Sequence, residues 1–239
     1  MPRPSASPDA AAAPIPIRDA VVAWAGSWLL GSVLSAAVAQ SSGHTTLAET
    51  PAGWVLLAQL ALWAPMVGAA WYVGSRHGTG SLVRDYAYRF RPLDLVGVPI
   101  GVVTQLAVLP LVYWPLGHAW PDTFGRSHLE KPARDLWNTG HGIGVLAIVF
   151  VAVIGAPLVE ELMYRGLLQG AFVRCTDRVT GLLLVAVWFA AIHFQPAQMP
   201  GLFVIGLVLG IAAVRTGRLG MAVLIHLAFN ATGLVLVAR

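Results

Sequence analysis

The chain has 239 residues, 57% hydrophobic and 11% charged, with a mean hydropathy of +0.71 and a formal net charge of +4. A soluble domain of this size cannot keep so much apolar surface from water, so composition excludes one and points to a polytopic membrane protein. The excess cations cluster between apolar runs, where they read as topology determinants facing anionic lipid and not as a nucleic-acid surface.

Residues 1–19, "MPRPSASPDAAAAPIPIRD", are rich in Pro, Ala and Ser, lack helical periodicity and are expected to form a disordered tail. The first apolar run is 20–39. It ends in Ala37-Val38-Ala39, which is acceptable to a signal peptidase, but its length and the acidic Asp9 and Asp19 ahead of it favour an uncleaved transmembrane helix. Further spans are expected at 54–74, 95–117, 142–172, 181–195, 201–215 and 220–238, judged against the ~20 residues that cross a bilayer. The runs 181–195 and 201–215 are only about 22 Å long as helices, which suits the bundle interior or the wall of a polar cavity. Segment 118–141 is the longest connection and contains Pro121 and Pro132. The expected fold is therefore all-α, a polytopic bundle of about seven spans with a polar cavity toward the cytoplasmic half. Residues 20–141 form its N-terminal helices and outer loop, and 142–236 its C-terminal helices.

Charge bias sets the expected orientation. With the N-terminus inside, Arg3, Arg18, Arg76, Arg84, Arg89, Arg91, Arg174, Arg178, Arg215 and Arg218 face inward, while Arg126, Lys131, Arg134 and Arg239 face outward. That bias predicts a cytoplasmic N-terminus and an external C-terminus. Arginine outnumbers lysine fourteen to one, which suggests a GC-rich bacterial genome and hence a bacterial plasma membrane. The single Cys175 excludes an intrachain disulfide and gives no zinc-finger spacing.

Only two of the eleven carboxylates, Glu160 and Glu161, fall well inside a span. An ionised group there costs about 2.5–3.5 kcal/mol on insertion scales, so such residues face a cavity or a partner. Glu161 and Arg165 are spaced i, i+4 and suit a helix ion pair, which leaves Glu160 free for chemistry. Pro157 is expected to kink the helix just before the pair. Phe189 and His193 share a face of the next span, and His226 and Asn230 share a face of the last. Counted from the inner helix ends, Glu160, His193, His226 and Asn230 converge at depths of about 9–18 Å.

A packing cluster is the plain alternative, with Glu161 and Arg165 fixing helices and the His–Asn pair hydrogen-bonding between them. As chemistry, the set permits two readings. Glu160 and His193 can activate water while His226 and Asn230 stabilise an oxyanion, or Glu160, His193 and His226 can hold zinc. An ion-coupled transporter also uses intramembrane Glu and His, but the inverted repeats expected of one are not evident.

At these residues the sequence resembles the CPBP family, which comprises type II CAAX prenyl proteases and bacteriocin-processing or immunity proteins and is often called the Abi or CAAX-protease domain. Glu160, Glu161 and Arg165 meet its EExxxR motif and are followed by "GLLQG"; Phe189 and His193 meet FxxxH; His226 and Asn230 meet HxxxN. Tyr164 stands where phenylalanine is common. The resemblance spans about 142–236 and implies an intramembrane endopeptidase. In it Glu160 works with His193 on water, His226 and Asn230 serve the oxyanion, and Glu161, Arg165 and Phe189 organise the site. No cofactor is the favoured reading, since Asn230 is a poor zinc ligand and a good donor; zinc on Glu160, His193 and His226 is the alternative. Expected partners are membrane lipids and a membrane-associated protein or peptide substrate, with no nucleic acid. A non-catalytic scaffold or immunity-type protein is the competing function.

Overall fold

The computed structural model describes residues 14–238. Most of the expected tail, 1–13, lies outside the described residues, as do Arg3 and Arg239. Ile17–Asp19, which composition placed in the tail, form the first turn of a helix.

Six helices are long and apolar enough to cross a membrane, and a seventh apolar helix is shorter. Among the described residues these seven and one polar helix, α4, are α1 (Ile17–Ser41), α2 (Ala52–His77), α3 (Pro92–Ala119), α4 (Arg126–Asn138), α5 (Gly144–Cys175), α6 (Arg178–Ala191), α7 (Met199–Thr216) and α8 (Gly220–Val237). The protein is a multi-pass membrane protein built as an all-helical bundle. Every backbone donor in lipid must find an acceptor within its own segment, which explains why only helices fill these runs.

Two expectations are corrected. The connection 118–141 is not an open loop: Pro121–Phe124 form one turn, and Arg126–Asn138 form a full amphipathic helix. Pro132 lies inside α4, and i, i+4 pairs tie Arg126 and Arg134 to Glu130 and Lys131 to Asp135. The run 181–195 is also shorter than its apolar length suggested. Helix α6 stops at Ala191, about 21 Å after it begins, so His193 stands in the turn beyond it.

Close backbone approaches set the bundle. Gly97 and Gly101 of α3, spaced as GxxxG, press on α8; a Cβ at Gly101 would lie 2.2 Å from the Ile225 carbonyl oxygen. Gly155 of α5 admits the indole of Trp63 from α2, where a Cβ would come within 2.3 Å of the ring. The turn between α7 and α8 is held at the start of α3. There Arg218 grips buried Asp94 through two hydrogen bonds of 2.6 and 3.1 Å, and the Leu219 N–H donates to the Ala87 carbonyl. The start of α8, and with it His226, is thereby fixed against α3.

Candidate active site

Helix α5 carries the paired glutamates between two π-helical stretches, Phe150–Gly155 and Leu162–Gln169. Such wide turns inside an α-helix recur at functional sites because each leaves a carbonyl without its usual donor. Here the sequence compounds the effect. The Ala156 N–H reaches back five residues to the Val151 carbonyl. The next donor in that register would serve Ala152, but residue 157 is proline and has no N–H. Asn230 on α8 fills the gap, its Nδ2 donating to the Ala152 carbonyl at 2.8 Å.

One turn further along α5, Glu161 and Arg165 form the ion pair that their spacing predicts, at 3.2 Å and with both side chains fully buried. Glu161 Oε1 also meets His226 Nδ1 at 2.8 Å. A carboxylate only accepts, so Nδ1 carries the proton and the ring turns Nε2 toward Glu160, whose Oε2 is 3.8 Å away. His226 thus bridges the two carboxylates. Among the described residues Glu160 makes no hydrogen bond, and 21% of its side chain is exposed while Glu161 is fully buried, so Glu160 is the carboxylate that water can reach.

Arg165 is pinned on three sides. Its Nη2 donates to the Gly206 carbonyl of α7 at 3.0 Å, and its guanidinium lies 4.7 Å from the Phe189 ring centre and 5.7 Å from that of Tyr164. Four residues on, Gln169 repeats the contact, its Nε2 donating to Gly210 at 3.0 Å. The two residues make a two-rung clamp between α5 and α7. Lacking side chains, Gly206 and Gly210 let the donors reach carbonyls already used within the helix.

Phe189 sits among the charged groups, with ring-centre distances of 4.8 Å to His193 and 6.0 Å to His226. His193, although beyond the end of α6, turns back so that Nδ1 meets the Phe189 carbonyl at 2.6 Å. That carbonyl can only accept, so Nδ1 is protonated and the Nε2 lone pair is free. The next residue, Phe194, has φ +52° and rests its ring on Trp28 of α1. A left-handed backbone at an aromatic residue is uncommon and turns the chain sharply beside His193.

The residues singled out from sequence are therefore gathered, but not all in the pairing that depth alone suggested. Glu160 lies beside His226, whereas His193 makes no ion pair or hydrogen bond with either glutamate. Asn230 spends one amide hydrogen on Ala152 and keeps the other. Among the described residues no three His, Cys, Asp or Glu side chains group closely enough to hold a metal ion, so Glu160, His193 and His226 do not form a ligand triad in this arrangement. Two contributors escaped sequence reasoning. Gln169 could have been found from its i+4 spacing to Arg165. Tyr88, whose hydroxyl donates to the Leu158 carbonyl at 3.0 Å, is brought to α5 from a connecting segment, and no local pattern marks it.

Residues 142–232, which contain every one of these motif residues, match the family described as type II CAAX prenyl endopeptidase Rce1-like. Over this stretch the chain is similar to that family, and the similarity includes every motif residue of the site. The matched stretch takes in α5 to α8 and leaves α1 to α4 outside. The chain is also 31% identical over 96 residues to an Escherichia coli protein described as an uncharacterized 24.3 kDa protein. That alignment covers 38% of this chain and 44% of the relative, so the chain spans less than half the length of the curated protein it matches. No solved structure matches the chain.

Proposed function

We propose that the protein is an intramembrane endopeptidase that hydrolyses a peptide bond of a membrane-associated protein or peptide, with water activated by Glu160. The observation that carries this reading is the His226 bridge. Its Nδ1–H is spent on Glu161, and its Nε2 stands 3.8 Å from a carboxylate that has no other partner. A water within hydrogen-bond reach of both Glu160 Oε2 and His226 Nε2 fits that separation.

In the proposed reaction Glu160 takes a proton from this water as its oxygen attacks the scissile carbonyl carbon. The carbonyl π electrons move to oxygen, and a protonated His226 Nε2 and the remaining Asn230 amide hydrogen serve the oxyanion. The C–N bond then breaks, and Glu160 returns its proton to the departing amine. His193, with its free Nε2, assists proton transfer from the substrate side. Glu161 and Arg165 hold His226, and Phe189 fills the space between the two imidazoles. No step is routed through a metal. The proposed setting is a bacterial plasma membrane with the N-terminus cytoplasmic, supported by the ten-to-four distribution of Lys and Arg between the two sides.

The test is terminal-peptide profiling of membranes from null cells expressing wild type or Glu160→Gln at equal levels. New protein termini that appear with wild type and not with Glu160→Gln support proteolysis and identify the substrate. Identical profiles, with Glu160→Gln restoring whatever phenotype the null cells show, replace the endopeptidase by a scaffold or immunity-type protein.

A further inference from the structure

The α1–α2 pair lies outside the matched stretch 142–232, and an open groove of about 560 Å³ runs between the two helices, lined by none of the motif residues. Its rim carries two arginines. Arg18 in the first turn of α1 and Arg76 and His77 in the last turn of α2 meet at one edge of the helix pair, and the walls beneath are Val22, Gly26 and Ala69. The one acidic residue at the rim is already engaged: Asp19 accepts from Arg18 Nε at 3.0 Å and from His77 Nε2 at 2.9 Å. Among the described residues the terminal nitrogens of Arg18 make no hydrogen bond. Arg76 is steadied by the Tyr72 ring, 5.9 Å from its guanidinium. A Cβ at Gly26 would meet nothing within 4 Å, so the cleft stays open below the rim.

Two guanidinium groups at the rim of an apolar trough match an amphiphile, not a soluble ion. A free anion leaves the Val22–Ala69 wall unused, and a zwitterionic lipid brings no net charge to the arginines. Arginine forks are suited to phosphate oxygens, and basic residues at a membrane surface favour anionic lipid. We propose that this cleft binds one anionic glycerophospholipid, its phosphodiester on Arg18 and Arg76 and the start of an acyl chain along Val22, Gly26 and Ala69. The site anchors α1 and α2 to anionic lipid independently of the chemistry in α5–α8.

The test is native mass spectrometry of the full chain purified in detergent, supplied with equimolar phosphatidylglycerol and phosphatidylcholine of identical acyl chains. Wild type is expected to retain one phosphatidylglycerol with about tenfold preference. R18A/R76A abolishes that preference, whereas R126A/K131A, which removes two cations elsewhere, keeps it. Gly26→Leu, which fills the trough and leaves every charge in place, also abolishes it. The proposal is overturned if wild type shows no preference, or if the preference survives R18A/R76A or Gly26→Leu. Displacement of the lipid by inorganic phosphate alone would likewise overturn it by revealing a simple anion site.

Discussion

Asn230 donates to the carbonyl of Ala152, the backbone acceptor that Pro157 leaves without a donor. One side chain on α8 thus repairs a helix defect on α5 and, by the same bond, sets the spacing between the helices that carry His226 and Glu160. In hydrocarbon the repair matters more than in water, because no solvent can take the place of the missing donor.

That relationship separates two roles for Asn230. Asn230→Ala is expected to cost about 1 kcal/mol or more by leaving a part-buried carbonyl unpaired. Pro157→Ala restores a backbone N–H in that turn, so the double variant is expected to lose less stability than Asn230→Ala alone. Thermal denaturation in detergent measures this cycle. If the second amide hydrogen also serves an oxyanion, activity stays down by ~10²–10³-fold in the double variant even where stability recovers.

The two glutamates should respond in opposite ways. Glu161→Gln leaves Arg165 buried beside a neutral partner and is expected to destabilise the fold by about 3–5 kcal/mol. Glu160→Gln removes no hydrogen bond and should leave the melting midpoint within the range of an ordinary surface change, while cleavage falls by ~10²–10⁴-fold. Parallel melting and cleavage assays on the two variants check the contrast. Equal stability losses would mean that Glu160 is as firmly bound as Glu161.

Placement of His226 depends on a residue that never touches it. Gly101→Leu drives a side chain into the α8 backbone at Ile225 and is expected to abolish activity by displacing the helix. Gly233→Ala, where the nearest atom is 3.5 Å away in the Gln105 side chain, should leave both activity and stability near wild type. Cysteine crosslinking between α3 and α8 in both variants reads the displacement directly.

Helix α4 should loosen in acid. The hydrogen bond from Arg126, helped by that from Arg134, holds the Glu130 carboxyl below the usual glutamate range. A carboxyl depressed in the folded state contributes stability above its unfolded pKa and loses it as pH falls through the lower folded value. Amide exchange across Arg126–Asn138, taken relative to the intrinsic rate at each pH, is therefore expected to speed up once pH drops below the ordinary glutamate range. Glu130→Gln should show that faster exchange already at neutral pH. Since Gln198 in the turn after His193 donates to the Leu129 carbonyl, the change should reach the active-site turn as well.

Metal removal gives a further check on the proposed mechanism. Cleavage by protein passed through a strong chelator and assayed in metal-free buffer is expected to match the untreated rate. Loss of activity restored by zinc would replace glutamate-activated water by metal chemistry.

Much of this arrangement was legible before any coordinates. Apolar run length located all six long spans to within a few residues, because a hydrocarbon layer demands a long unbroken apolar run of any helix that crosses it. Burial cost picked out Glu160 and Glu161, and i, i+4 geometry paired Glu161 with Arg165. These are local rules, and the residues that obey them are near one another in the chain. The end of α6 at Ala191 was not legible, since "IHFQP" continues the apolar pattern and the left-handed turn at Phe194 carries no glycine to announce it. Nor was the amphipathic α4, whose Pro132 reads as a break. What only the tertiary structure decided was the pairing of groups on different helices: His226 between the two glutamates, Asn230 on Ala152, Tyr88 on Leu158. Sequence depth says how far into the membrane a side chain lies, but not how its helix is rotated or which neighbour it faces. Those are set by close packing at Gly101, Gly155, Gly206 and Gly210, where a neighbouring backbone or side chain comes in close because no Cβ intervenes.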